Sequence, residues 1–408
     1  MKKNFPLTGF SSLAVHSGHE EDPLYSHLTP IYASSTFTFD TADQGMLRFD
    51  NKEPGYIYTR WGNPNFTEAE EKICAFESFG LTEANGSPLA LKALLHASGQ
   101  AAMTTMLLGN LKAGDQVLSH YSLYGGSHEF LHRVLPPLNI EPVIVDLRNL
   151  GLAEDTIKKN PGIRWMHLET PANPTVQCVD LGELTTMAKR YNLMVSVDNT
   201  FATPYLQQPF RYGADYVFHS TTKFLNGHGT AIGGVLIGKD IQKMQTTILK
   251  WYRLLGGNAN PFDAFLLING LKTLELRMER HCHNAMEAAH FLEAHPAIEK
   301  VNYTGLSSHP DFYTSAKQMR HPGPMMSIEV KGGLTAGKKF IDKLQMCTRA
   351  VSLGTADTLV SHPASMTHYG VPKEEREIFG ITDGLIRMSI GIENIQDILS
   401  DLNQALEE

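Results

Sequence analysis

Between residues 61 and 257, short apolar runs alternate with stretches in which apolar side chains recur every three or four positions. The runs Leu94-Leu95-His96-Ala97, Gln116-Val117-Leu118-Ser119, Pro142-Val143-Ile144-Val145, Trp165-Met166-His167-Leu168, Leu193 to Val197, Tyr216-Val217-Phe218 and Ile232 to Ile237 read as buried strands. Gln100 to Leu111 and Leu181 to Tyr191 carry the helical spacing that separates them. This alternation predicts an α/β sheet covered on both faces, which binds ligands at the carboxyl ends of its strands.

The pattern changes on either side. Residues 1–60 show little helical periodicity and many turn formers and aromatics, as in Leu28-Thr29-Pro30-Ile31-Tyr32. Such a segment cannot bury its own apolar side chains, and another subunit is one surface for it to lie on. After Asn258-Ala259-Asn260-Pro261, one long amphipathic helix is expected from Phe262 to His295, with Leu267, Leu271, Leu274 and Met278 on its apolar face and Pro296 ending it. Strands at 326–330 and 385–392, with helices at 334–344 and 395–406, suggest a smaller α+β unit. The expected division is an arm (1–60), a central domain (61–257) and a C-terminal domain (258–408).

Composition narrows the partners. The 408 residues carry 35 Lys and Arg against 43 Asp and Glu, a net charge of −8, which argues against nucleic acid and anionic membrane as partners. Cys74, Cys178, Cys282 and Cys347 lie too far apart in sequence for a close metal or redox spacing, so a reducing, cytoplasmic setting is expected. No membrane-length apolar run is present.

The chemistry concentrates in two neighbouring segments. Asp198 ends the run Val195-Ser196-Val197, where a carboxylate is costly unless a cation faces it. Lys223 follows the next strand, in Ser220-Thr221-Thr222-Lys223. Alone, the aspartate reads as a helix cap and the lysine as a surface charge. Ser98-Gly99-Gln100 changes that reading: at a strand-to-helix turn, a glycine lets backbone N–H groups approach an anion at the positive end of a helix. Ser220 and Thr222 can complete the cradle. An amine, a carboxylate and an anion cup on one sheet edge meet the requirements of pyridoxal 5'-phosphate.

The segments Ser220 to His228, Val197-Asp198-Asn199-Thr200-Phe201, Glu169-Thr170-Pro171-Ala172-Asn173-Pro174 and Ser361 to His368 resemble the cysteine/methionine-metabolism family of pyridoxal-phosphate enzymes. That resemblance implies the type I, aspartate aminotransferase-like fold, a mixed, mostly parallel sheet between helices with a smaller α+β C-terminal domain. It makes Lys223 the lysine that carries the cofactor and Asp198 the partner of its ring nitrogen. Ser98, Gly99, Gln100, Ser220 and Thr222 are assigned to the phosphate, and Tyr124 is stacked on the ring. Asn173, Ser352 and Arg387 are assigned to the substrate. Strand alternation sets Arg387 apart from Ile386 and Met388, so it is expected to face an open groove where it can grip a carboxylate. Tyr58 and Arg60 match a pair that reaches the neighbouring subunit's phosphate, which implies a homodimer, pairing into a homotetramer.

In this family Lys223 would move the Cα and Cβ protons of an amino acid, and Tyr124 would give a proton to the departing γ substituent. The segments from Arg349 to Gly354 and from Ser365 to His368 are most similar to methionine γ-lyases. Val351 stands where cystathionine-handling members tend to have a glutamate. Gly126, Tyr252 and Arg253 depart from the methionine γ-lyase pattern. A carbon–sulfur γ-lyase of methionine, homocysteine or a similar amino acid is therefore expected. The alternative is γ-replacement, as in O-acylhomoserine sulfhydrylases and cystathionine γ-synthase; a silent cofactor-binding interaction protein fits less well. His281, Cys282, His283, His290 and His295 lack a carboxylate-backed pair and read as a packed or solvated helix face rather than a metal site.

Overall fold

The computed structural model describes residues 7–19, 24–367, 369–370, 372–378 and 380–407; His368 of the C-terminal motif lies outside them. Among the described residues twelve strands form two sheets. The larger contains β1 (Lys92–His96), β2 (Gln116–His120), β3 (Glu141–Val145), β4 (Ile163–Glu169), β5 (Met194–Asp198), β6 (Tyr216–His219) and β7 (Gly234–Gly238), in the order β1-β7-β6-β5-β4-β2-β3. Strand β2 pairs in parallel with β3 and β4, β4 pairs in parallel with β5, and β1 pairs antiparallel with β7. The chain is thus α/β with a mixed, mostly parallel sheet. The smaller sheet contains β8 (Ile298–Asn302), β9 (Met325–Val330), β10 (Thr348–Arg349), β11 (Leu359–Ser361) and β12 (Leu385–Ser389), in the order β10-β11-β12-β9-β8.

By its internal contacts the chain forms two compact units, each discontinuous in sequence. One comprises Met1–Asn110, Phe218–Thr222 and Thr230–Thr273; the other comprises Leu111–Val217, Lys223–Gly229 and Leu274–Glu408. In the first unit, buried Phe66, Ile73 and Phe76 of helix Pro64–Glu77 accompany Ala93, Leu94 and Leu95 of β1. Burial on both faces explains why β1 reads as a continuous apolar run rather than an alternation. In the second unit, the smaller sheet and helices Leu274–Glu293, Gly333–Lys343 and Ile395–Leu406 share a core that includes Val301, Ile328, Phe340, Val360, Ile386 and Leu402. Among the described residues no helix is long and apolar enough to cross a membrane.

Two local expectations are corrected. The segment before residue 60 contains helices Phe10–His16 and Ala42–Phe49, the second capped by Thr41, whose side chain accepts from the Gln44 N–H. The long helix expected from Phe262 to His295 is two helices, Pro261–Leu271 and Leu274–Glu293. Leu271 and Leu274, three residues apart across the break, are both fully buried, so the apolar spacing carries through and hides it.

Helix Leu274–Glu293 also braces the second unit. Arg277 donates to the carbonyls of Phe224 and Leu225, at 2.7 and 3.3 Å, just beyond Lys223. His281 is fully buried and its Nδ1 pairs with the Ile390 carbonyl at 2.7 Å; Asn284 donates to the carbonyls of Gly391 and Glu393. Burial lowers the His281 pKa to about 4, so its ring is neutral at physiological pH. Gly227 completes the turn with φ of +74°, and a Cβ there would stand 1.9 Å from Arg277 Nη1. Gly227→Ala is expected to destabilise the fold by about 1–3 kcal/mol, from left-handed strain plus displacement of the guanidinium. An unchanged thermal midpoint would contradict this.

Candidate active site

Ser98 is the N-cap of helix Gly99–Leu108; its hydroxyl accepts from the Ala101 N–H at 3.1 Å and its carbonyl from the Ala102 N–H at 3.1 Å. The N–H groups of Gly99 and Gln100 therefore stand at the helix's positive end, with no preceding turn to satisfy them. Gly99 is needed for close approach, because a Cβ there would lie 3.0 Å from Ser220 Cβ and 3.2 Å from Ser220 Cα. Ser98, Gly99, Gln100, Ser220 and Thr222 all belong to the first unit. Thr222 holds the cup shut: its hydroxyl donates to the Gly233 carbonyl and accepts from the Gly233 N–H. Such an arrangement of oriented N–H groups and hydroxyls can take a phosphate. A buried His219–Glu77 contact of 2.6 Å anchors the end of β6, one residue before Ser220.

Tyr58 and Arg60 lie in the same unit. Tyr58 is partly exposed, and the Arg60 guanidinium lies 5.4 Å from the centre of its ring. Arg60 Nη1 also donates to the Arg253 carbonyl, and the Arg253 guanidinium lies 5.1 Å from the centre of the Trp61 ring. Neighbouring Tyr252 is buried and donates to the Leu95 carbonyl at 2.9 Å.

The second unit brings together Tyr124, Asn173, Asp198, Lys223, Ser352 and Arg387. Asp198 ends β5, and its Oδ1 accepts from the backbone N–H and the hydroxyl of Thr200. Lys223 Nζ donates to Ser352 Oγ at 2.9 Å. Burial first, and the nearby Arg387 charge second, lower its pKa to about 8. In the apoprotein the amine is therefore protonated below that value and reactive above it. The rate at which apoprotein takes up pyridoxal phosphate should rise with pH and level off above about 8; a rate still climbing toward the ordinary lysine value of about 10.4 would contradict the depressed pKa.

Arg387 is not in an open groove, contrary to the expectation from strand alternation. It is only 5% exposed, because the 351–354 loop closes over it. Nη1 donates to Asn173 Oδ1 at 3.1 Å, and Nη2 donates to the carbonyls of Val351 and Ser352, each at 2.8 Å. Among the described residues its Nε has no partner. Burial lowers its pKa to about 10, still charged at neutral pH. A buried cation whose described partners are an amide and two carbonyls is prepared for an added anion.

Sequence reasoning quoted Glu169 within a motif but gave it no role. It ends β4 in register with Asp198, and it is only 4% exposed. Its two oxygens accept from the N–H groups of Tyr124 and Asn173, each at 2.8 Å. Tyr124 itself is half exposed, its ring accessible at the start of a short helix. The signal available in the sequence was a carboxylate ending a buried strand next to the one that ends in Asp198.

Residues 11–407 match the model of the Cys/Met metabolism PLP-dependent enzymes. The chain belongs to this family. A family cofactor of pyridoxal phosphate fits the residues present: oriented N–H groups able to take its phosphate, a half-buried lysine with a depressed pKa, and a carboxylate at a strand end. The chain is 46% identical to an L-methionine γ-lyase of Fusobacterium nucleatum subsp. polymorphum, over 98% of both chains. It is 43% identical to one of Porphyromonas gingivalis, over 100% of this chain and 99% of the relative. A cystathionine γ-synthase structure from Xanthomonas oryzae pv. oryzae superposes with a TM-score of 0.89 at 35% identity, covering 98% of each chain.

Proposed function

We propose that this chain is a pyridoxal-phosphate-dependent carbon–sulfur γ-lyase, acting with water on methionine, homocysteine or a similar amino acid to give 2-oxobutanoate, ammonia and a thiol or hydrogen sulfide. One observation carries the reading beyond family membership: Ser352 accepts from Lys223 Nζ through its hydroxyl and from Arg387 through its carbonyl. A proton-moving amine and a grip for an α-carboxylate are thereby held by one residue. The methionine γ-lyase relatives support the choice of substrate.

When bound, pyridoxal phosphate supplies an electron sink that makes the Cα and Cβ protons of an amino acid removable. Ser98, Gly99, Gln100, Ser220 and Thr222 would hold its phosphate, Lys223 its carbonyl carbon, and Tyr124 the face of its ring. Asp198 would keep a proton on the ring nitrogen. Arg387 and Asn173 orient the substrate carboxylate, which fixes Cα within reach of the Lys223 amine. That amine takes the Cα proton and then moves one at Cβ, while Tyr124 gives a proton to the departing sulfur. Exposed Val351 presents no anion to a distal ammonium, which favours a short thioether substrate over cystathionine.

Gly126, Tyr252 and Arg253 favour a second reading. Their departure from the methionine γ-lyase pattern fits γ-replacement, in which a thiol or sulfide enters where the γ substituent leaves. Purified protein incubated with methionine, homocysteine, cystathionine and O-acetylhomoserine, with and without sulfide, separates the two. The lyase reading requires 2-oxobutanoate from a thiol or thioether substrate. Its absence from all of them, with thioether or thiol product formed from the ester, would replace that reading with the second.

A cytoplasmic homodimer pairing into a homotetramer belongs to the same proposal, as does a division into arm, cofactor domain and C-terminal domain. Exposed Leu24, Tyr25, Ile31, Met46 and Phe49 give the arm an apolar surface suited to a second copy. Tyr58 and Arg60 would then complete the neighbour's phosphate site.

A further inference from the structure

Strands β4 and β5 run parallel with Glu169 opposite Asp198, so the two carboxyl side chains leave the same face of the sheet at its carboxyl edge. Glu169 is held there by what it accepts. Oε2 takes the N–H of Tyr124, and Oε1 takes the N–H of Asn173, both at 2.8 Å. Asn173 passes the connection on, because its Oδ1 accepts from Arg387 Nη1 at 3.1 Å.

Two separate loops, one after β2 and one after β4, thus meet on one buried carboxyl group. Neither loop is regular at this point: Tyr124 begins a short helix, and Asn173 sits between two prolines with cis peptide bonds, Thr170-Pro171 and Asn173-Pro174. Regular ladder bonds do not fix the two N–H groups that the carboxyl takes. Burying a carboxyl beside a second one is unfavourable; burial and then the Asp198 charge push the Glu169 pKa up to about 8. A glutamine would also be uncharged but could offer an oxygen to only one of the two N–H groups.

We propose that Glu169 is a positioning residue that sets the Tyr124 ring and the Asn173–Arg387 pair jointly relative to Asp198, and so fixes the angle between the bound cofactor and the substrate carboxylate. This rests on the reading of the site as a pyridoxal-phosphate site. Glu169 does not touch substrate; it acts through the two loops.

Glu169→Gln keeps the side chain's volume and places an NH2 against one of the two N–H donors. In the holoenzyme it should retain stoichiometric cofactor and the parent's melting temperature. The visible circular dichroism of the bound cofactor should change in amplitude, because Tyr124 turns against the ring. KM for the amino acid should rise about tenfold or more, with kcat changing less, since Asn173 and Arg387 act on the carboxylate. Glu169→Asp keeps the acid but is one methylene too short to reach both N–H groups, so it should shift the dichroism in the same way. It also provides the test if the glutamine variant does not fold.

A cofactor-loaded variant with unaltered dichroism and KM would overturn the proposal and make Glu169 a core residue only. So would a lowered melting temperature with unaltered dichroism and KM. A colourless parent protein that binds no pyridoxal phosphate would instead overturn the reading of the site.

Discussion

Lys223→Ala should lower turnover of any accepted amino acid by roughly 10²–10⁴-fold, the range expected when a positioned general base is lost. The Lys223 amine is half-buried, bonded to Ser352 and depressed to about 8, so it can shed and regain a proton near neutral pH. The variant keeps Ser98, Gly99, Gln100, Ser220 and Thr222, the groups proposed to hold the phosphate, so it should still bind cofactor. The visible band of the lysine-linked cofactor should disappear, and a small primary amine added to the solution should restore part of the rate. Wild-type turnover by the alanine variant would remove Lys223 from the mechanism.

The second large effect is expected at Arg387. Its guanidinium is buried, and Asn173 and the 351–352 carbonyls take three of its five N–H hydrogens, which among the described residues leaves Nε–H and one Nη1–H. A carboxylate would add charge-assisted hydrogen bonds worth roughly 1.5–3 kcal/mol each. Arg387→Leu should therefore lower kcat/KM by about 10²–10³-fold for two such bonds, mainly through KM. Lysine should not rescue it, because an ammonium cannot reproduce the planar fork. The wild type should also discriminate strongly against the carboxamide of its substrate, and the leucine variant should not. Because the substitution removes a buried charge, the leucine variant should melt no lower than the parent unless the freed carbonyls dominate. An unchanged KM with undiminished carboxylate preference would show that Arg387 does not hold the carboxylate.

The apolar runs located the strands of the large sheet to within a few residues. Trp165-Met166-His167-Leu168 lies inside β4, and Tyr216-Val217-Phe218 lies inside β6. Buried strands are read well because burial on both faces demands continuous apolar or internally paired side chains. The exceptions prove paired: His167 and Trp165 both bond to Ser196 Oγ, at 2.9 and 2.7 Å. Boundaries without a change in apolar phase were invisible, which is why the break after Leu271 went unseen. The helix Ala42–Phe49 was missed because eight residues give too little periodicity, although Thr41 and Gln44 carried a capping signal.

The sequence alone determined the chemical inventory: a lysine, an aspartate, an N–H cup and an arginine in an order that resembles one enzyme family. Local spacing suffices for this, since Asp198 ends one strand and Lys223 follows the next, and each strand's end is set by its own apolar run. What only the tertiary structure decided is how those groups are tuned. Burial, with the Val351 and Ser352 carbonyls on its Nη2, turned Arg387 from a groove residue into an enclosed cation, and burial together with the Arg387 charge lowered the Lys223 pKa. Strand register put Glu169 beside Asp198, two residues separated by a full helix in the chain. Hydrogen-bond geometry and desolvation depend on neighbours distant in sequence, so no reading of local pattern supplies them.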